Sequence, residues 1–551
     1  MTKTFPKDPD VSERKFGIEF DEAKVEAIFK EFDQCQLPGV AVGIAIRGRP
    51  VYRKGFGLAN MELPVVLSPT MRMRIGSASK HFAALAYVLL CEERRAGLDD
   101  PIGKYLPELH SVAQHVTMRQ LMCNVSGLRD VFDITWQFSG TRRHISSAEL
   151  LAMYREIDDA NRPAGKNWIY NNGGFLMLSV AIERISGQSL EDFLRERIFE
   201  PVQMYSTLLR RSETGFVANS AGLHIKNSAG VYERSPFYGT AFAGEGGIVS
   251  TVDDMLRWLI HMDAPVVGSA ATWKLMQTPH KLANGCSSGY GFGLLLDQYR
   301  GVPIIHHPGG GMGANAQILK VPAVGLDVVV MVNRDESGML MADRIMDVCI
   351  RGLDPVHSAA PAVFATGTFY SPKTGRVVQM FAQDDKQFAS IDGKDTLMEP
   401  DAQGVLWPGG TSRYAKQAMT LVGDPQAPSA IRLSDFGNVD ELVRQRPPQH
   451  SDVASIAGRY RSIGTRTDAV IESVNGVPTL TTTGLFGTCV YPLECIADGI
   501  WRAKRTQVSP PTGGILVFDR DGGSFRYSSY RTLGLVFTAE RSRRLDRAVV
   551  A

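Results

Sequence analysis

The sequence lacks an excess of charge of either sign. Lys and Arg number 60 against 58 Asp and Glu in 551 residues, a net charge of +2. No nucleic-acid backbone or anionic membrane surface is therefore expected as the main partner. No stretch reaches the ~18 apolar residues of a membrane span. The N-terminus, MTKTFPKDPDVSERKF, has no apolar centre of a secretory signal, so a soluble, cytoplasmic protein is expected. Cysteine is scarce and odd in number, 7 in all, with no C-x-x-C pair and no metal-ligand spacing. That pattern excludes a disulfide framework and reads as reduced, mostly structural thiols.

What is present suits a packed protein, with 44% hydrophobic and 21% charged residues and a length suited to about three domains. Residues 19–33 place Val25, Ile28, Phe29 and Phe32 on one helical stripe. GVAVGIAI (39–46), a turn at RGRP and VYRKGFG (51–57) predict a hairpin. FAALAYVLLC (82–91) is apolar nearly all round, so a helix buried on every side is expected there, ending near Gly97. Helices are predicted at 147–156, 173–187, 189–198 and 252–262, strands at 292–298, 302–307, 316–321 and 326–333, and a closing helix at 338–352. These make one α/β (α+β) domain over 1–353. A Pro/Ala-rich linker follows, and then short strands with Gly, Pro and Asp turns. GTFYS (367–371) and GRYRS (458–462) echo one another, so two small antiparallel β modules are expected, 360–447 and 453–551.

The chemistry centres on RIGSASKHF (74–82). If Ser77 heads the buried helix, Lys80 lies on the same face one turn on, and the free N–H groups of the helix start face the hydroxyl. Serine needs a neighbouring base to act as a nucleophile. Lys and Tyr ordinarily titrate near ~10; burial would depress Lys80, and a neighbouring ammonium would depress a tyrosine. The plain alternative is an N-capping Ser77 and a solvated Lys80. NWIYNNGGF (167–175) puts Tyr170 and Asn172 just before a helical run, where both can face a cleft. In IIHHPGGGMG (304–313), His306 and His307 point to opposite sides of a strand, and Gly309 and Gly310 let backbone approach a ligand.

SASK (77–80), YNN (170–172) and HPG (307–309), in that order, resemble the motifs of the penicillin-recognising serine hydrolases. That family holds class C β-lactamases, DD-carboxypeptidases, related esterases and D-aminopeptidases. LDDPIGKYLPEL (98–109), LMCNVSGL (121–128), ISGQSLEDFLRERIFEPVQM (185–204) and EGGIVSTVDDMLRW (245–258) extend the resemblance over residues 20–352. It implies a serine β-lactamase-like catalytic domain of helices and antiparallel sheet, with Ser77 as acylated nucleophile. Lys80 and Tyr170 would share proton transfer, and Asn172 would contact substrate. His307 would stand where class C β-lactamases carry Lys, and the N–H groups of Ser77 and Gly310 would form the oxyanion hole. Asn124 stands where many relatives have His. Nucleophile, base and oxyanion hole would all be protein groups, so no metal or organic cofactor is implied.

HPG and the two β modules are most similar to the D-aminopeptidase branch, in which two antiparallel barrels follow the catalytic domain and a loop of the last reaches the site. The expected counterpart is residues 501–518, which lacks an acid to pair with a substrate ammonium; Asp498 or a catalytic-domain acid could substitute, and Lys504 and Arg505 could attract a carboxylate instead. The implied partner is a small peptide, amide or ester, and the resemblance alone implies a homodimer. The alternatives are an esterase or DD-peptidase of the same chemistry, or an inactive binder. KTG (373–375) lies beyond the linker, where a hairpin turn belongs, and GCSSG (285–289) lacks the strand and helix that a nucleophile elbow needs.

Overall fold

Valine and isoleucine crowd VAVGIAI because a strand buried on both faces takes branched side chains. The stretch forms β1 (Val40–Ile46), which turns through Arg47 and Gly48, both at positive φ (49° and 75°), into β2 (Arg49–Phe56). Four later strands, β3 (Leu295–Tyr299), β4 (Val302–Gly311), β5 (Ala314–Val321) and β6 (Leu326–Val332), complete an antiparallel sheet of order β3-β4-β5-β6-β1-β2. The computed structural model describes residues 16–34, 36–140, 143–235, 239–355, 364–448, 453–504 and 513–540.

Six helices position the site: α1 (Glu22–Phe29), α2 (Lys80–Glu92), α3 (Val131–Phe138), α4 (Asn172–Ser186), α5 (Val252–His261) and α6 (Gly338–Cys349). α1 and α6 close one apolar core on the sheet with Val42, Ile44, Val328 and Val330. α5 packs on the other face, in a second core that contains most of α2 and α4. Every residue of α2 from Lys80 to Leu90 is buried, as its apolar sequence requires. It stops at Glu92 rather than near Gly97, because Arg94 takes a left-handed turn (φ 59°) and the Gly97 N–H is bound by the Asp100 carboxylate at 2.7 Å. No helix among the described residues is long and apolar enough to cross a membrane.

Two closed antiparallel barrels of eight strands follow. The first runs from Gly367–Tyr370 to Asn438–Arg444, the second from Gly458–Ser462 to Leu535–Ala539, and each closes by pairing its first and last strands. KTG occupies the turn after the first barrel strand; Gly375 has φ 74° and the Thr374 hydroxyl donates to Asp440. GCSSG lies in a loop with no helix after it. The second barrel shares the core of the N-terminal α/β unit: Phe138 of α3 packs edge-on against Tyr527 and Phe537, with ring centroids 5.0 and 5.6 Å away.

Candidate active site

GSAS forms one 3-10 turn, Gly76–Ser79, that runs straight into α2 at Lys80. Ser77 is thus outside the helix proper, yet three residues in a 3-10 turn bring the chain full circle, so Ser77 and Lys80 still meet. Lys80 Nζ donates to Ser77 Oγ at 3.1 Å, to Asn172 Oδ1 at 2.8 Å and to the Glu245 carbonyl at 2.6 Å. Loss of solvent holds the Lys80 amine well below the usual lysine range; Glu245 pulls it back up, and Arg531 pushes it further down.

Tyr170 is held by its flanks. Asn124, in a left-handed conformation (φ 56°), accepts the Ile169 N–H on its carbonyl at 2.9 Å and the Asn171 N–H on its side chain at 3.0 Å. Asn171 then caps α4 by accepting the Gly174 N–H at 2.9 Å. Lys80 Nζ lies 4.6 Å from the Tyr170 ring centroid. Its phenol is pushed up from the ordinary tyrosine value, because burial outweighs the pull of the Arg531 guanidinium. The expected lowering by a neighbouring ammonium is thus reversed: a buried site disfavours the phenolate.

β4 sends His306 and His307 to opposite faces. Gln317 meets His306 Nδ1 at 2.9 Å. His307 Nδ1 donates to the Pro308 carbonyl at 2.8 Å, so Nε2 is bare and accepts the Tyr290 hydroxyl at 2.9 Å. Burial holds this imidazole well below its usual value, which leaves it neutral, and its ring centroid is 6.2 Å from that of Tyr170. Gly309 is forced by packing: a Cβ there would stand 1.8 Å from the Ile75 carbonyl oxygen, just before the Gly76–Ser79 turn. At Gly310 the nearest atom to such a Cβ is Asn315 Nδ2 at 4.0 Å, so its open side faces the cleft.

Ser77, Gly309, Gly310 and Arg531 divide two cavities. One, of about 270 Å³, is lined by Asn172, Trp136, Phe242 and Met312; the other, of about 360 Å³, by Tyr170, His307, Tyr290 and Tyr414. The structure therefore brings together all seven residues singled out from the sequence. Three further groups were missed. Asp130 accepts the Asn172 and Gly173 N–H groups at 3.2 and 3.1 Å and pairs with Arg531 at 3.3 Å. Arg531 stacks 4.9 Å from the Tyr170 ring centroid, although it lies 401 residues from Asp130 in the chain. Glu245, between glycines, is buried; loss of solvent pushes its carboxyl up to about 7 against the Ala243 N–H bound at 2.6 Å. Only Glu245 carried a sequence signal, an acid set in AGEGG. Residues 505–512 of the expected site-reaching loop lie outside the described residues, and Lys504 pairs with Glu494 at 3.2 Å. Among the described residues the second-barrel segment that reaches the site is 529–533: Arg129 Nη1 and Asn161 Nδ2 each donate at 2.7 Å, to the Leu533 and Arg531 carbonyls. Among the described residues no group of three His, Cys, Asp or Glu could hold a metal ion.

The profile of the Beta-lactamase family matches residues 25–348. The D-aminopeptidase of Brucella ovis is 27% identical over 527 residues, covering 91% of this chain and 94% of the relative. That of Cereibacter sphaeroides is 26% identical over 525 residues, covering 93% and 96%. Among solved structures, the octameric penicillin-binding protein homologue from Pyrococcus abyssi aligns with TM-score 0.56 at 22% identity, covering 77% of this chain and 100% of that one. A penicillin-binding protein from Bacillus halodurans aligns with TM-score 0.51 at 21% identity, covering 59% and 98%.

Proposed function

The chain belongs to the beta-lactamase family, and from that premise we propose that it acts through an acyl-enzyme on Ser77 as a D-aminopeptidase, releasing N-terminal D-amino acids from peptides or amides. The observation that carries the chemistry is the 3.1 Å contact between Lys80 Nζ and Ser77 Oγ. As a free amine, Lys80 keeps two N–H bonds for Asn172 and Glu245 and turns its lone pair to the serine hydroxyl. Ser77 Oγ attacks the substrate carbonyl carbon while its proton passes to Lys80. The N–H groups of Ser77 and Gly310 stabilise the oxyanion. The C–N bond breaks as the proton, relayed by Tyr170, reaches the leaving amine, and water then hydrolyses the ester by the reverse relay. Neutral His307, fixed by Pro308 and Tyr290, shapes the wall beside Tyr170. The choice of D-aminopeptidase rests on the Brucella and Cereibacter relatives.

One observation favours a second reading, a DD-peptidase or β-lactamase-like esterase. Asn172 spends its Oδ1 on Lys80, so its Nδ2 faces substrate as a donor, which suits an acyl carbonyl better than an ammonium. The test is hydrolysis of D- and L-alaninamide, N-acetyl-D-alanyl amides and short acyl esters by wild type and Ser77→Ala, with intact-mass detection of a fluorophosphonate adduct. The expected result is turnover of D-alaninamide, reduced about 10⁴-fold or more in Ser77→Ala, and an adduct on wild type alone. Turnover of N-acetylated or ester substrates with D-alaninamide untouched selects the second reading. A folded wild type that forms no adduct is a binder.

A further inference from the structure

The larger cavity has an unbalanced charge. Lys394 of the first barrel and Arg531 of the second line it together with Ser77, Tyr170, His307 and Tyr530, and no Asp or Glu is among its described lining residues. The acids flanking Lys394 in sequence are engaged elsewhere: Asp392 by Arg376 at 2.9 Å and Asp395 by Arg502 at 2.7 Å. The Lys394 ammonium rests 3.8 Å from the Tyr530 ring centroid, and it forms no ion pair among the described residues. Among the described residues Arg531 forms one ion pair, with Asp130, while Asp133 acts on it at longer range, and its Nε is buried without a hydrogen-bond partner. The phenol of Tyr530 reports the resulting field: although burial opposes it, Lys394 and Arg531 hold it below the ordinary tyrosine value. A cavity that draws a phenol toward its anion will draw a carboxylate more strongly.

The direction of the reaction says which part of the substrate enters. Tyr170 and His307 line this cavity and not the smaller one. The amine that leaves must be protonated from the Tyr170 side, so the departing residue lies here. We propose that Lys394 and Arg531 form a carboxylate subsite for the free C-terminus of the departing residue, which makes short peptides with an unblocked C-terminus the substrate class. This rests on the hydrolase reading for the direction of cleavage. Lysine supplies a point charge and the guanidinium a planar fork, a pair suited to one carboxylate. The cation anticipated at Lys504 is thus supplied by Lys394 at a strand start and by Arg531 in the 529–533 turn.

The probes are D-alanylglycine and its C-terminal amide. In calorimetric titration of Ser77→Ala, the carboxylate form is expected to bind about tenfold tighter or more. Lys394→Gln added to Ser77→Ala abolishes that preference, Lys394→Arg retains it, and Lys504→Gln leaves it unchanged; thermal melts establish that each variant is folded. Equal binding of the two ligands, binding of neither, or a preference that survives Lys394→Gln overturns the proposal. Turnover by Ser77-intact enzyme separates the two readings. No hydrolysis of either peptide with the binding preference intact sinks the acyl-enzyme reading alone. Hydrolysis of both at equal kcat/KM, with no binding preference, sinks the subsite alone.

Discussion

At the scale of single residues the site works by removing water from charge. In the proposed mechanism Lys80 must be a free amine to accept the Ser77 proton, and burial depresses it. Activity should therefore rise with pH through a value below the ordinary lysine 10.5. Glu245 acts against this. Its carboxyl titrates near 7, and once ionised it favours the ammonium. Glu245→Gln is expected to move the acid limb of kcat/KM to lower pH, measured as full pH profiles of both enzymes; an unmoved limb would mean that the carboxyl does not act on the base. The same change has a stability sign. Glu245 is held above its ordinary 4.5, so the folded state favours the neutral acid, and that contribution is present below about 4.5 and lost as pH rises through about 7. Above that pH, Glu245→Gln should melt higher than wild type. Lys80→Met should lower kcat by about 10²–10⁴-fold with the fold retained.

At the scale of elements, two backbone segments must touch. The Gly76–Ser79 turn lies against β4, and the contact tolerates no side chain at Gly309. Gly309→Ala is expected to displace the turn, costing about 1–3 kcal/mol in thermal unfolding and about 10²-fold in kcat. A matched Gly310→Ala, with open space at its Cβ, should leave Tm unchanged and affect catalysis only. This level was legible in part. The alternation of a strand sends His306 and His307 apart whatever surrounds them, and the apolar run after Lys80 can only be an interior helix. The 3-10 geometry of GSAS was not legible, because Ser77 keeps its distance to Lys80 in either helix type.

At the scale of the molecule, the second barrel is part of the catalytic domain rather than an appendage. Asp133 of α3 accepts the Ser529 and Thr532 hydroxyls at 2.8 and 2.7 Å, and Tyr491 donates to the Gln137 carbonyl at 2.5 Å. Phe138 completes an aromatic cluster with Tyr527 and Phe537. Calorimetry should show the catalytic domain and second barrel melting in one transition. Phe138→Ala should destabilise that transition by about 3–5 kcal/mol; separate transitions, only one of them shifted, would show that the barrel is independent. The first barrel has its own core, around Phe369, Met380, Leu433 and Leu442, so it can respond separately.

The sequence by itself determined the pairing of Ser77 with Lys80, the tyrosine motif, the histidine strand and the antiparallel character of the two barrels. Each depends on periodicity or on neighbours within a turn, and such relations survive in a linear string. Only the tertiary structure decided what surrounds them. The phenol of Tyr170 is pushed up because the folded chain takes it out of solvent, and the charge of the larger cavity comes from Lys394 and Arg531. Those two side chains belong to different barrels, and nothing in their local sequence distinguishes them from solvated surface cations. Electrostatic character depends on distance and burial in three dimensions, and chain closure brings these groups together across hundreds of residues that carry no local record of it.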